Sequence, residues 1–197
     1  MVAPRTRAWE ICILAGGLSE RLGRDKASLV LGKRTMLSLI RSTAAATGLP
    51  VRIIRKDIVP RCGPLGGIYT ALRTTRGEAV LFLACDMPFI TTELLIRILS
   101  NLTSRYQACF ALARSKVCFP FVLRRTVLGQ VLQHIERKQY SLQSLAKIPR
   151  TKLVRLTPLV MPQLSNINTP ADWILARRRW SETRGCVLVR GRRANSP

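Results

Sequence analysis

The chain has 197 residues, 47% of them hydrophobic, which suits one domain with a real core and excludes disorder of the whole. Its net charge is +23. A surface that basic concentrates anions, whether nucleoside triphosphates, nucleic acid or anionic lipid, without choosing among them.

In chain order, Ile11–Ala15 is a short apolar run ended by Gly16-Gly17, which predicts a fully buried strand. A polar loop follows. A helix is predicted from about Thr35 to Thr47, stopped by Gly48 and Pro50, and Val51–Ile54 is a second strand. Gly66–Thr74 reads as a helix just after a Gly63-Pro64-Leu65-Gly66-Gly67 loop. Ala79–Ala84 is the cleanest buried strand, and Cys85-Asp86-Met87-Pro88 ends it. Thr91 reads as the cap of the next helix. Ala108–Ala113 and Phe119–Leu123 are strands, Val127–Glu136 and Ser141–Lys147 short helices, and Leu153–Leu156 a late strand. Pro170 opens a last helix through Trp180. Such alternation predicts an α/β fold of three layers, a mostly parallel sheet covered on both faces. Ligands of such sheets bind at the C-terminal strand ends, where Gly16-Gly17 and Asp86 fall.

Six cysteines include no C-x-x-C pair, and the single histidine, His134, has no partner at metal-ligand spacing, so a zinc site is not expected. Cys12, Cys85 and Cys109 lie in apolar runs and read as small buried hydrophobes. Residues 1–10 are short and polar-basic, without a signal-peptide pattern, and no run is long enough to span a membrane. A cytoplasmic protein is expected. Residues 177–197 carry seven arginines against one acid; with that surplus of six set aside the rest is still +17. Residues 1–180 are expected to form the domain and 181–197 a flexible basic extension. Nucleic-acid binding, which the charge alone would suggest, finds no support in 6% aromatic content or in any helix-turn-helix, zinc-finger or RNA-binding signature.

The string Leu14-Ala15-Gly16-Gly17-Leu18-Ser19-Glu20-Arg21-Leu22-Gly23-Arg24-Asp25-Lys26 carries the chemistry. Glycines after a strand let backbone N–H groups surround phosphate oxygens. Arg21 and Lys26 add fixed positive charge for a triphosphate. The spacing is neither a dinucleotide G-x-G-x-x-G nor a Walker loop. Asp86, at the end of a buried strand, can hold a hard cation that bridges phosphates, since Mg²⁺ takes one or two carboxylates beside phosphate and water. The competing reading makes Asp86 a turn cap. Asn166-Ile167-Asn168-Thr169-Pro170 presents two amides that can bind a polar acceptor, while Thr169 or Asn168 caps the last helix.

These strings resemble the signatures of nucleotidyltransferases that activate sugar phosphates and molybdopterin, and are most similar to those of molybdenum cofactor guanylyltransferases. The resemblance covers roughly residues 10–180 and implies a Rossmann-like nucleotidyltransferase fold. It implies transfer of GMP from GTP to molybdopterin with release of pyrophosphate, with transient contact to other proteins of the molybdenum cofactor. By analogy, Arg21, Lys26 and Asp86 are catalytic, and Asp86 holds Mg²⁺. Leu14, Ala15, Gly16, Gly17, Lys26, Asp57, Gly66 and Asp86 bind nucleotide, and Asn166 and Asn168 bind the acceptor. Cytidylyl transfer and a sugar-phosphate acceptor are the neighbouring readings. One strand stands between the first helix and Gly63 where the resembled enzymes have two. The sheet is therefore expected to be shortened by about twenty residues, a strand and its connections. For Asp57, which follows that strand, a solvated surface aspartate is the competing reading.

Overall fold

A computed structural model describes residues 9–16, 26–60 and 62–191, without the side chains of residue 26 and of residues 183–191. Among the described residues, eight strands and six α-helices follow one another as β1 (Trp9–Leu14), β2 (Val30–Leu31), β3 (Arg34–Thr35), α1 (Met36–Ala45), β4 (Val51–Ile54), α2 (Pro64–Thr74), β5 (Ala79–Ala84), α3 (Thr92–Ser100), β6 (Ala108–Ala113), β7 (Lys116–Arg124), α4 (Leu128–Glu136), α5 (Leu142–Leu145), β8 (Thr151–Arg155) and α6 (Pro170–Gly191).

Six strands form one sheet in the order β4-β1-β5-β7-β6-β8. Pairings β4–β1, β1–β5 and β6–β8 are parallel, and only β7 runs against its neighbours. The period-two alternation of strand side chains sorts the core into two layers. Ile11, Ile13, Leu81 and Leu83 point to one face, where Leu37 and Ile40 of α1 and Leu95 and Ile98 of α3 cover them. Cys12, Val80 and Phe82 point to the other, under Leu65, Ile68 and Leu72 of α2 and Val131 of α4. The three-layer, mostly parallel α/β fold expected from the sequence is the one observed. Val51–Ile54 pairs with β1 and forms one edge of the sheet, with no strand outside it among the described residues.

Three local expectations need correction. The Gly63–Gly67 segment is not a loop ahead of a helix: α2 begins at Pro64, so Gly66 and Gly67 sit buried in its first turns. Proline is suited to the first helical position because its φ is preset, and Gly63 supplies the φ of +60° that turns the chain into it. Part of the polar loop after β1 is a small hairpin, β2–β3, turned at Gly32 with φ +69°. The last helix, expected to stop at Trp180, continues to Gly191, because Arg, Ser and Glu are unexceptional helix residues. A Cβ added to Gly32 would fall on the indole of Trp180, so α6 straps the hairpin closely. Met36, Ile167 and Ala176 form the small core beneath that strap.

Candidate active site

Two parallel neighbours bring the two expected phosphate-handling segments together. In the β1–β5 register Leu14 lies opposite Ala84, and the backbone N–H of Cys85 donates to the Leu14 carbonyl at 3.2 Å. Ala15-Gly16 and Cys85-Asp86 therefore leave adjacent strands side by side. Ala15 N–H donates to Ile54 O at 2.8 Å, which adds the end of β4 to the same cluster. A Cβ on Gly16 would come within 2.6 Å of the Arg55 carbonyl oxygen, closer than side chains pack, so the chain needs glycine here to pass β4.

Asp86 is half-buried two residues beyond β5. Its backbone carbonyl accepts from Ile167 N–H at 2.9 Å, a link the sequence did not disclose. Ile167 is buried, 1% exposed, and anchors its neighbours: Asn166 is exposed and Asn168 half-buried beside the Asp86 turn. The helix-capping reading of this segment is realised through Thr169. Its hydroxyl accepts from Asp172 N–H at 3.1 Å, and the Asp172 carboxylate accepts from Asn168 N–H at 3.0 Å and Thr169 N–H at 2.8 Å. This reciprocal arrangement satisfies donors that a helix start leaves open. Gly17 and Arg21 lie outside the described residues, as does the side chain of Lys26, whose backbone opens a 3₁₀ turn over Lys26–Ser28.

Asp57 faces the start of α2. A Cβ on Gly66 would land on its Oδ2, with Cγ 2.9 Å away, and one on Gly67 would lie 3.5 Å from Oδ1. The two glycines thus give the carboxylate its room, and the positive end of the helix lies beside it. Burial raises the Asp57 carboxyl above its usual value. Burial and then the charge of Asp57 push up the thiol of Cys62, which packs 3.2 Å from the position of a Gly66 Cβ. Asp57 is half-buried and borders the same cavity as the glycine turn.

Between β1, β4 and α2 opens a cavity of about 960 Å³, bordered by Leu14, Ala15, Gly16, Asp57 and Gly67. Its remaining wall includes residues the sequence reading missed, above all Arg55, Lys56, Pro60 and Phe119. The signal for the first two was their place just past the C-terminal end of a parallel strand, where ligands of such sheets bind. Asp86 stands outside this wall, on the far side of the glycine turn's strand. Among the described residues no group of three histidine, cysteine or acidic side chains could hold a metal alone. The half-buried Asp86 carboxylate fits a cation that arrives with phosphate oxygens as its other ligands.

Residues 40–154 match the model of the MobA-like NTP transferase domain, more than half of the chain. The chain belongs to this family. It is a nucleotidyltransferase. Among curated relatives of the MobA-like family, the probable molybdenum cofactor guanylyltransferase of Flavobacterium johnsoniae is 30% identical over 174 residues, covering 80% of this chain and 90% of that protein. The molybdenum cofactor guanylyltransferase of Rhizobium meliloti is 29% identical over 188 residues, covering 81% and 86%. For that second alignment, 81% of 197 is about 160 residues, so its 188 positions include gaps on this chain's side, in keeping with a shortened member. Of solved structures, molybdopterin-guanine dinucleotide biosynthesis protein A from Archaeoglobus fulgidus shares the fold with a TM-score of 0.72 at 17% identity, over 88% of this chain and 99% of that one. A Mycobacterium tuberculosis protein solved in complex with manganese superposes with a TM-score of 0.56 at 17% identity, over 87% and 98%. No helix among the described residues is long and apolar enough to cross a membrane.

Proposed function

We propose that the protein transfers GMP from GTP to molybdopterin, forming the guanine dinucleotide form of the molybdenum cofactor and releasing pyrophosphate in the cytoplasm. The observation that carries this reading is the convergence of three segments: the Leu14–Gly16 turn, the Cys85-Asp86 turn beside it, and the Asn166–Asn168 segment bonded to Asp86. The names of the relatives supply the nucleotide and the acceptor.

In this scheme the backbone of Leu14–Gly17 with Arg21 and Lys26 receives the triphosphate, and Asp57 and Gly66 border the nucleoside. Asn166 and Asn168 orient the acceptor so that an oxygen of its terminal phosphate lies in line with the α-phosphorus. A new P–O bond forms there as the bond to the β-phosphate's bridging oxygen breaks, and the electron pair leaves with pyrophosphate. Alignment and charge neutralisation carry the rate, with no covalent enzyme intermediate. Asp86 would hold Mg²⁺, whose contribution when bound is neutralisation of phosphate charge.

The deciding assay mixes the purified protein and Mg²⁺ with labelled GTP or CTP, and with molybdopterin or a sugar 1-phosphate. Pyrophosphate release only with GTP and molybdopterin is expected. Release with CTP alone, or only with the sugar phosphate, overturns the substrate assignment.

A further inference from the structure

The segment that begins at Asp86 is tied to the segment ahead of α6 at more points than the bond from Ile167. Thr91, five residues past Asp86, donates its hydroxyl to Gln163 Oε1 at 3.0 Å. Residues 86 and 91 are thus bonded directly to residues 167 and 163. Phe89 lies between these two ties, and a third element holds it. The guanidinium of Arg179, on α6, lies over the Phe89 ring with Cζ 4.1 Å from the ring centroid, and its Nη1 donates to the carbonyl of Pro162. Arg179 therefore links the middle of the Asp86–Thr91 segment to the stretch that leads into Asn166–Asn168.

The helix gives Arg179 a fixed base. Thr169 and Asp172 cap its start, and Ala176 packs with Met36 and Ile167 in the small core that Phe89 borders. Trp180, the next residue, lies against Gly32. An arginine can do both tasks at once, because a planar guanidinium stacks by its face and donates in its plane, whereas a lysine ammonium is a point charge. Resting on the transferase reading above, we propose that Arg179 is a positioning residue that acts through Phe89 and Pro162 to hold the Asp86 turn in register with the acceptor segment. In that reading Asp86 serves the triphosphate and Asn166 and Asn168 serve the acceptor. Slack between the two segments is then slack between the reacting groups, where a misplacement of about 1 Å can cost about a hundredfold in rate.

The full chain, Arg179→Met, Arg179→Lys, Phe89→Leu and the Arg179→Met/Phe89→Leu pair are compared, first by thermal unfolding. Without substrate or metal, amide exchange in Arg179→Met should be about tenfold faster at Ile167, whose N–H is bonded to Asp86, and unchanged within β5, because the loosening is local. With Mg²⁺, GTP and molybdopterin, kcat should fall about tenfold while KM for GTP stays within about twofold. Arg179→Lys keeps a cation for the ring, so its kcat should lie between the two, and it carries the test should Arg179→Met fail to fold. Phe89→Leu should lower kcat alike, and the pair should do no worse than the poorer single variant, since both break one contact. Unchanged exchange at Ile167, unchanged kcat, or losses that add in the pair would each overturn the proposal. A main effect on KM for GTP would make Arg179 a substrate contact and overturn it too. If the unaltered chain transfers nothing from GTP, the functional reading fails and the positioning role with it, whereas turnover indifferent to Arg179 sinks the positioning role alone.

Discussion

Ile167 donates its backbone N–H to the main-chain carbonyl of Asp86 at 2.9 Å. The bond joins segments eighty-one positions apart in sequence and makes the Asp86 turn and the asparagine segment one unit. Asp86 is therefore held in position through its backbone.

Asp86→Asn keeps shape and removes the charge. Catalysis should fall at least about a hundredfold, the scale of losing one preorganised electrostatic contact to the transition state. Thermal unfolding should stay close to that of the unaltered chain. Pyrophosphate release is the measurement; near-normal turnover by the variant would remove Asp86 from the chemistry.

Gly66→Ala tests the seat of Asp57. The new methyl would occupy the place of Oδ2, and the carboxylate, a side-chain terminus, can swing aside. The variant should fold with modest loss of stability, since alanine also favours the helix by about 1 kcal/mol over glycine. GTP affinity should drop several-fold. Unchanged affinity in a titration would mean that the carboxylate's position does not matter to the nucleotide.

The sequence made the sheet legible where burial is complete. Ala79–Ala84 is apolar throughout because both faces are covered, and its predicted bounds are those observed. It also made the adjacency of the Gly16 turn and Asp86 inferable, since both follow strands of one parallel sheet. What it hid depends on packing between distant segments. The β2–β3 hairpin has two-residue strands, too short for any period to show, and is held by Trp180 from the far end of the chain. Gly66-Gly67 reads as a turn by composition, but Pro64 starts a helix there and Asp57 needs the missing side chains. Arg55 and Lys56 look like ordinary surface cations until β4 is seen beside the glycine turn.

The Asp57 carboxyl offers a test of linkage. Burial raises its value in the folded chain above the ordinary one near 3.8. The folded state therefore favours the protonated form: its contribution to stability is fully present below about 3.8 and is lost as pH rises through the higher folded value. Ionised at neutral pH, Asp57 carries a desolvation cost. Asp57→Asn should raise the melting temperature at pH 7, and that gain should shrink as the pH falls toward 4, while GTP binding weakens. A gain that grows on acidification would contradict the burial argument.

Phe121 ties the core to the cavity. It is fully buried and stacks on Phe82 at 5.1 Å and Phe110 at 4.8 Å, and meets the cavity-lining Phe119 at 5.0 Å. Phe121→Ala should cost about 3–5 kcal/mol by urea unfolding, whereas a loss under about 1 kcal/mol would show that the aromatic layer relaxes around the gap.

Asp172 couples a helix cap to the acceptor segment. Its carboxylate accepts from the backbone N–H groups of Asn168 and Thr169, and Thr169 returns a bond to Asp172 N–H. Asp172→Ala leaves two donors without that acceptor, at a cost of about 1 kcal/mol, the usual scale for a lost cap. Because Asn168 loses its backbone tether, KM for molybdopterin should rise more than KM for GTP. Thr169→Ala removes the other half of the cap while leaving the tether on Asn168. It should cost similar stability with a smaller rise in acceptor KM. Equal kinetic effects from the two variants would reduce the segment to a helix start, with no separate hold on the acceptor.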